Sequence, residues 1–118
     1  MRQSTVQSRA ELYREAMRVI ELRHTDQKLS LATVAREIGT SRRQLQRAFA
    51  ETGGTSFRRE LDRARMSRAA QLLSDGSQSV KKVGAAVGYR YAAQFAKAFR
   101  RHHGRPPSDY RGEHSLAA

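Results

Sequence analysis

The stretch SLATVAREIGTSRRQLQRAF, Ser30–Phe49, holds two helical patterns separated by a single stop. Ser30 can cap a first helix whose apolar stripe is Leu31, Val34, Ala35 and Ile38, and Gly39 ends it. Only Thr40 separates Gly39 from the next cap. Ser41, with Gln44 three residues on, reads as a capping box and opens a second helix. Two short helices joined this tightly are the signature of a helix-turn-helix. On the second helix, Leu45, Ala48 and Phe49 fall on one face, while Arg43, Gln46, Arg47 and Ala50 fall on the other. The apolar face packs on the preceding helix through Val34 and Ile38. The polar face points outward, at water or at a partner.

The pattern then recurs. LATVAREIG (31–39) aligns with VKKVGAAVG (80–88), and SRRQLQRAF (41–49) with YAAQFAKAF (91–99). The pairs Val34/Val83, Gly39/Gly88, Gln44/Gln94, Ala48/Ala98 and Phe49/Phe99 are identical, and the second copy carries one extra residue in its turn. Both copies therefore read as helix-turn-helix units.

Working outward, Ser8 and Glu11 form a capping box ahead of Leu12, Ala16, Val19, Ile20 and Arg23, which predicts a first helix. Gly53-Gly54 ends the first unit. Phe57, Leu61, Ala64, Arg65, Arg68, Ala69 and Leu72 describe a longer helix that Asp75-Gly76 stops. A last short helix follows Pro106-Pro107. Strand signals are almost missing. The expected fold is all-α: two helix-turn-helix subdomains joined by a long linking helix, about seven helices in all. The expected organisation is a flexible tail (1–7), a first subdomain (8–55), the linking helix (56–75), a second subdomain (76–112) and a second flexible tail (113–118).

Composition narrows the chemistry. The chain has 118 residues, with 23 Lys plus Arg against 11 Asp plus Glu, a net charge of +12. Such a charge attracts polyanions, whether DNA, RNA or an anionic membrane surface, without choosing between them. It is unevenly spread: no acid lies between Asp75 and Asp109, where Lys81, Lys82, Arg90, Lys97, Arg100, Arg101 and Arg105 occur. There is no cysteine, which excludes disulfides and cysteine-based zinc sites. No apolar run approaches the roughly 18 residues that a membrane span needs. The N-terminus MRQSTVQ lacks the apolar stretch of a signal peptide.

In a helix-turn-helix the second helix enters the major groove. Arg pairs with guanine and Gln with adenine, so Arg43, Gln46 and Arg47 suit base reading. In the second copy, Phe95, Ala98, Phe99 and His102 are expected inward, and Ala93, Ala96, Lys97 and Arg100 outward. Alanine offers a methyl group to thymine, and Gln94 and Lys97 are the polar candidates. Arg90 and Arg100 suit phosphates. Base reading and a plain backbone clamp both remain open for this copy. Adjacent helical residues diverge by about 100°, so His102-His103 is not a metal pair. Phe49, Phe57, Phe95, Phe99 and Tyr110 read as core; Tyr89 and Tyr91 are core or stacking residues. Nothing arranges a catalytic triad, a phosphate loop or a metal set, so no enzyme, cofactor or metal is expected. A non-specific nucleic-acid binder and a protein-interaction module stay open as alternatives.

These segments together resemble the DNA-binding domain of AraC/XylS-type transcriptional regulators over about residues 10–112. The most specific carriers are Gly88, Tyr89, Phe95, Lys97, Phe99, Gly104, Pro107, Tyr110 and Arg111. The resemblance implies two recognition helices in successive major grooves of double-stranded DNA, about 34 Å apart, bound by one chain as a monomer. It places base reading on Arg43, Gln46 and Arg47 and on Ala92, Ala93, Gln94 and Lys97. Phosphate contacts are expected from Ser41, Arg42, Arg90, Tyr91 and Arg100. It further implies a cytoplasmic, nucleoid-associated activator that engages RNA polymerase, with no membrane partner. Met1 and the short tails favour a stand-alone regulator over a fragment of a larger, ligand-responsive one. The sequence departs from the family pattern at Tyr91, where a small polar residue is usual, at Ala92 and Ala93 (often Gln and Ser), at Lys82 (usually an acid), and at Phe57 and Glu60 (often Pro and Tyr).

Overall fold

The computed structural model describes residues 8–110. The two tails and Arg111 of the family signature lie outside the described residues. The elements are α1 (Arg9–Arg23), α2 (Leu31–Ile38), α3 (Arg42–Ala48), α4 (Phe57–Asp75), α5 (Val80–Ala86), α6 (Ala92–His103) and a helical turn, α7, at 107–110. Among the described residues there is no strand. None of the helices is long and apolar enough to cross a membrane. A π-helical turn, Phe49–Gly53, continues α3 before Gly54 ends it.

Local chemistry sets the helix starts. Ser8 and Glu11 exchange both bonds of a capping box, and so do Ser30 and Thr33, a pairing the sequence reading did not identify. At α3 only half of the expected box forms. The Ser41 hydroxyl accepts from the Gln44 backbone N–H, while the Gln44 side chain is left on the exposed surface. Ser56 caps α4 through the Arg59 N–H, and Ser79 caps α5 through the Lys82 N–H. Lys82, which stands where the family pattern has an acid, cannot return that bond. Each such cap contributes about 1 kcal/mol.

The chain divides into two compact units. Among the described residues, unit 1 comprises 8–24 and 28–61 and unit 2 comprises 25–27 and 62–110, so α4 gives its first turn to one and the rest to the other. The core of unit 1 is built from Leu12, Ala16, Ile20, Val34, Ala35, Ile38, Leu45, Ala48 and Phe49, with Phe57 and Leu61 from α4. Phe49 receives Tyr13 and Phe57 edge-on at 5.2 and 5.9 Å. The core of unit 2 is Met66, Ala69, Leu73, Val83, Val87, Phe95, Ala98 and Phe99.

The repeat is structural as well as sequential. Val34/Val83, Ala35/Gly84, Ile38/Val87, Leu45/Phe95, Ala48/Ala98 and Phe49/Phe99 are all buried. Gly39 and Gly88 both turn the chain at positive φ, 81° and 100°, a conformation that L side chains strain to adopt. Two expected faces need correction. In α4, Met66 and Leu73 are buried, whereas Arg68 is exposed and bonds Gln71 at 3.1 Å. At the end of α6, His103 packs inward and His102 is exposed, because Phe99 and Tyr110 both lie against the His103 ring, at 4.3 and 5.5 Å.

Candidate nucleic-acid interface

Unit 1 presents α3. Leu45, Ala48 and Phe49 are fully buried, which turns the opposite side of the helix outward. Arg43, Gln46, Arg47 and Ala50 are all exposed there, and Ser41 and Arg42 are exposed at its start. The face carries no acid. The acids that flank α3 along the chain are held by other cations: Glu51 by Arg9 at 2.9 Å and Glu37 by Arg23 at 2.6 Å.

Unit 2 presents α6 in the same way. Phe95, Ala98 and Phe99 are buried; Ala92, Ala93, Gln94, Lys97 and Arg100 are exposed, with Arg90 and Tyr91 just ahead of them. Ala96, expected outward, is half-buried. The start of α6 differs from that of α3. Tyr91 occupies the N-cap in an extended conformation and its side chain makes no capping bond, so the first backbone N–H groups lack the partner that Ser41 supplies in α3. Tyr91 is 57% exposed.

Among the described residues, Arg42, Arg43, Arg47, Arg90, Lys97 and Arg100 form no ion pair or side-chain hydrogen bond. Exposed cations without internal partners hold their hydrogen-bonding capacity for water or for a polyanion. The residues fall into two sets, one on each unit, and each set is coherent along its helix.

Behind α6, unit 2 contains a polar pin that the sequence reading did not identify. Arg65 is 7% exposed; its guanidinium donates to the Asp26 carbonyl at 2.9 Å and lies over the Tyr89 ring at 5.4 Å. The Tyr89 hydroxyl donates to Asp62 at 3.0 Å. Tyr89 is thus a core-edge residue that fixes the turn between α5 and α6. The only sequence signal for this arrangement was an arginine on the apolar face of a helix. No group of three or more His, Cys, Asp or Glu among the described residues could hold a metal.

A family model described as a helix-turn-helix domain matches residues 34–113. The HTH-type transcriptional regulator VqsM of Pseudomonas aeruginosa is 36% identical over 86 residues, covering 73% of this chain and 26% of VqsM. The C-terminal domain of AraT, a response regulator from Geobacillus stearothermophilus, matches with a TM-score of 0.84 at 29% identity, over 92% of this chain and 88% of that one. The DNA-binding domain of AdpA, a global transcriptional factor solved in complex with a target DNA, matches with a TM-score of 0.78 at 26% identity, over 90% of this chain and 94% of that one. The chain spans about a quarter of the length of the curated relatives it matches.

Proposed function

Because the chain belongs to the AraC-type helix-turn-helix family of DNA-binding transcription regulators, we propose that it binds double-stranded DNA sequence-specifically, with α3 and α6 in successive major grooves. The observation that carries this reading is the duplicated helix whose inner face is core and whose outer face is basic, acid-free and, among the described residues, without internal partners for its cations.

The two helices take different parts. On α3, Arg43 and Arg47 read guanine O6 and N7 and Gln46 reads adenine, each good pair discriminating by about 1–3 kcal/mol. On α6, Ala92 and Ala93 touch thymine methyl groups, and Gln94 and Lys97 reach base edges. Ser41, Arg42, Arg90, Tyr91 and Arg100 hold phosphates, which set register without reading sequence. One chain binds one asymmetric site as a monomer. The whole protein then acts in the cytoplasm, at the nucleoid, as an activator that engages RNA polymerase. This assignment of roles holds whether the module acts by itself or as the DNA-reading part of a larger regulator.

Selection of bound duplexes from a random library tests the proposal, followed by footprinting of the winner. The expected result is one preferred asymmetric site, protected over about 20 bp in two adjacent major grooves. Equal affinity for all duplexes, or for RNA, would establish the non-specific alternative instead. Steep salt dependence is common to both and decides nothing.

A further inference from the structure

Unit 2 carries a second polar feature, away from the outer face of α6. A shallow, open cleft of about 430 Å³ is lined by Arg63, Ser67, Gln71 and Ser74 from α4, by His102 and His103 from the end of α6, and by Tyr110. The four α4 residues recur at helical spacing and so form one wall. Each of these side chains carries a hydrogen-bond donor, the Gln71 carbonyl oxygen being taken by Arg68 at 3.1 Å, and no carboxylate lines the cleft. The adjacent acid, Asp62, is engaged outside it, by the Tyr89 hydroxyl at 3.0 Å and by Arg101 at 3.9 Å.

We propose that this cleft binds a small oxyanion, a phosphate or a carboxylate, through Arg63, His102 and His103. The electrostatics support the placement. The proton affinity of His102, which is exposed overall, is held below its ordinary value, first by the partial loss of hydration where its ring is covered, then by the neighbouring charges of His103 and Arg63, with Asp62 pulling the other way. The groups around His102 are Asp62 and Arg63 on α4, Arg101 and His103 on α6, and Tyr110 on α7, so cations prevail where the ring sits. A bound anion relieves that excess and favours the imidazolium. The His103 ring is already oriented, by the Met66 carbonyl at 3.3 Å and by Phe99, so little ordering is needed on binding. His102 lies on the opposite side of α6 from Ala93 and about 13 Å farther along its axis. An occupant therefore leaves the outer face open, and the site is that of an effector rather than of the DNA.

The test is a histidine ring C–H titration of the whole chain by NMR, with inorganic phosphate, acetate or chloride at matched ionic strength. Saturable shifts of His102 and His103 with phosphate or acetate but not chloride are expected, together with an upward move of the His102 midpoint. Binding should weaken above that midpoint, by at most about tenfold per pH unit for one linked proton. Arg63→Gln should abolish saturation while leaving the far-ultraviolet circular dichroism unchanged. The same unsaturated drift in all three salts, or a parent-like response in Arg63→Gln, overturns the proposal. A phosphate response that persists when the selected duplex is bound supports an effector. Loss of that response on DNA binding makes the DNA backbone the anion and overturns it.

Discussion

Gly84 sets the approach of α5 to α6, and replacing it tests how the second recognition helix is held. A Cβ at Gly84 would lie 2.8 Å from Cδ2, 2.9 Å from Cγ and 3.1 Å from Cβ of Phe95. Ordinary contact begins at 3.4 Å, so the new methyl and the ring must part by about 0.6 Å. Cβ is fixed to the Phe95 backbone, and the ring that carries Cγ and Cδ2 is fully buried between Tyr89 and Phe99, so relief needs α6 to shift against α5. Overpacking of this kind costs about 1–3 kcal/mol. Removing a glycine from the interior of α5 returns about 1 kcal/mol. Gly84→Ala should therefore destabilise by about 0–2 kcal/mol and weaken DNA binding by displacing α6. The other copy of the repeat suggests the rescue, since it has Ala35 and Leu45 at the equivalent buried positions. Phe95→Leu alone should destabilise, because it empties space in the unit 2 core and loses the ring contacts to Tyr89 and Phe99 at 5.7 and 5.8 Å. Combined, the methyl occupies space that the ring vacated, and the double variant should be more stable than the two single effects predict, by about 1–2 kcal/mol. Urea unfolding of the four proteins, followed by circular dichroism, measures that coupling. Additivity within about 0.5 kcal/mol would refute the reasoning.

Arg43→Ala or Arg47→Ala should cost about 1–3 kcal/mol at the preferred site and relax preference at one position. Arg100→Ala should weaken all duplexes alike and lower the salt slope by about one, both read from binding isotherms across salt. Ser41→Ala should destabilise by about 1 kcal/mol, whereas Tyr91→Ser should stabilise by a similar amount if the new hydroxyl caps α6, as thermal melts would report. Tyr89→Phe removes the bond to Asp62 and should cost about 0.5–1.5 kcal/mol in urea unfolding. His102 is depressed below 6.5 in the fold, so between the folded and unfolded midpoints the unfolded chain binds more protons. Its contribution is fully present above 6.5 and is lost as pH falls through that window; His102→Gln should flatten the stability profile there.

Much of this arrangement is legible in one dimension because a helix converts spacing into direction. Leu45, Ala48 and Phe49 recur at intervals that place them on one side of α3, so the exposure of Arg43, Gln46 and Arg47 follows from the sequence alone. The repeat doubles that evidence, since Phe95, Ala98 and Phe99 obey the same spacing. The glycines at positions 39 and 88 mark the turns because their backbone conformation favours residues without a Cβ.

Other features depend on contacts between residues far apart in the chain. Arg65 is buried where the Asp26 carbonyl, 39 residues earlier, and the Tyr89 ring, 24 residues later, meet it. His103 rather than His102 turns inward because Tyr110 returns over the last turn of α6, which no helical period encodes. The polar cleft joins α4 to the end of α6 in the same way. The sequence by itself determined which helices form and which side of each is apolar, since these depend on neighbours a few residues apart. Only the tertiary structure decided which polar side chains are buried, which are held in place and which remain available, because those outcomes depend on what the fold brings against them.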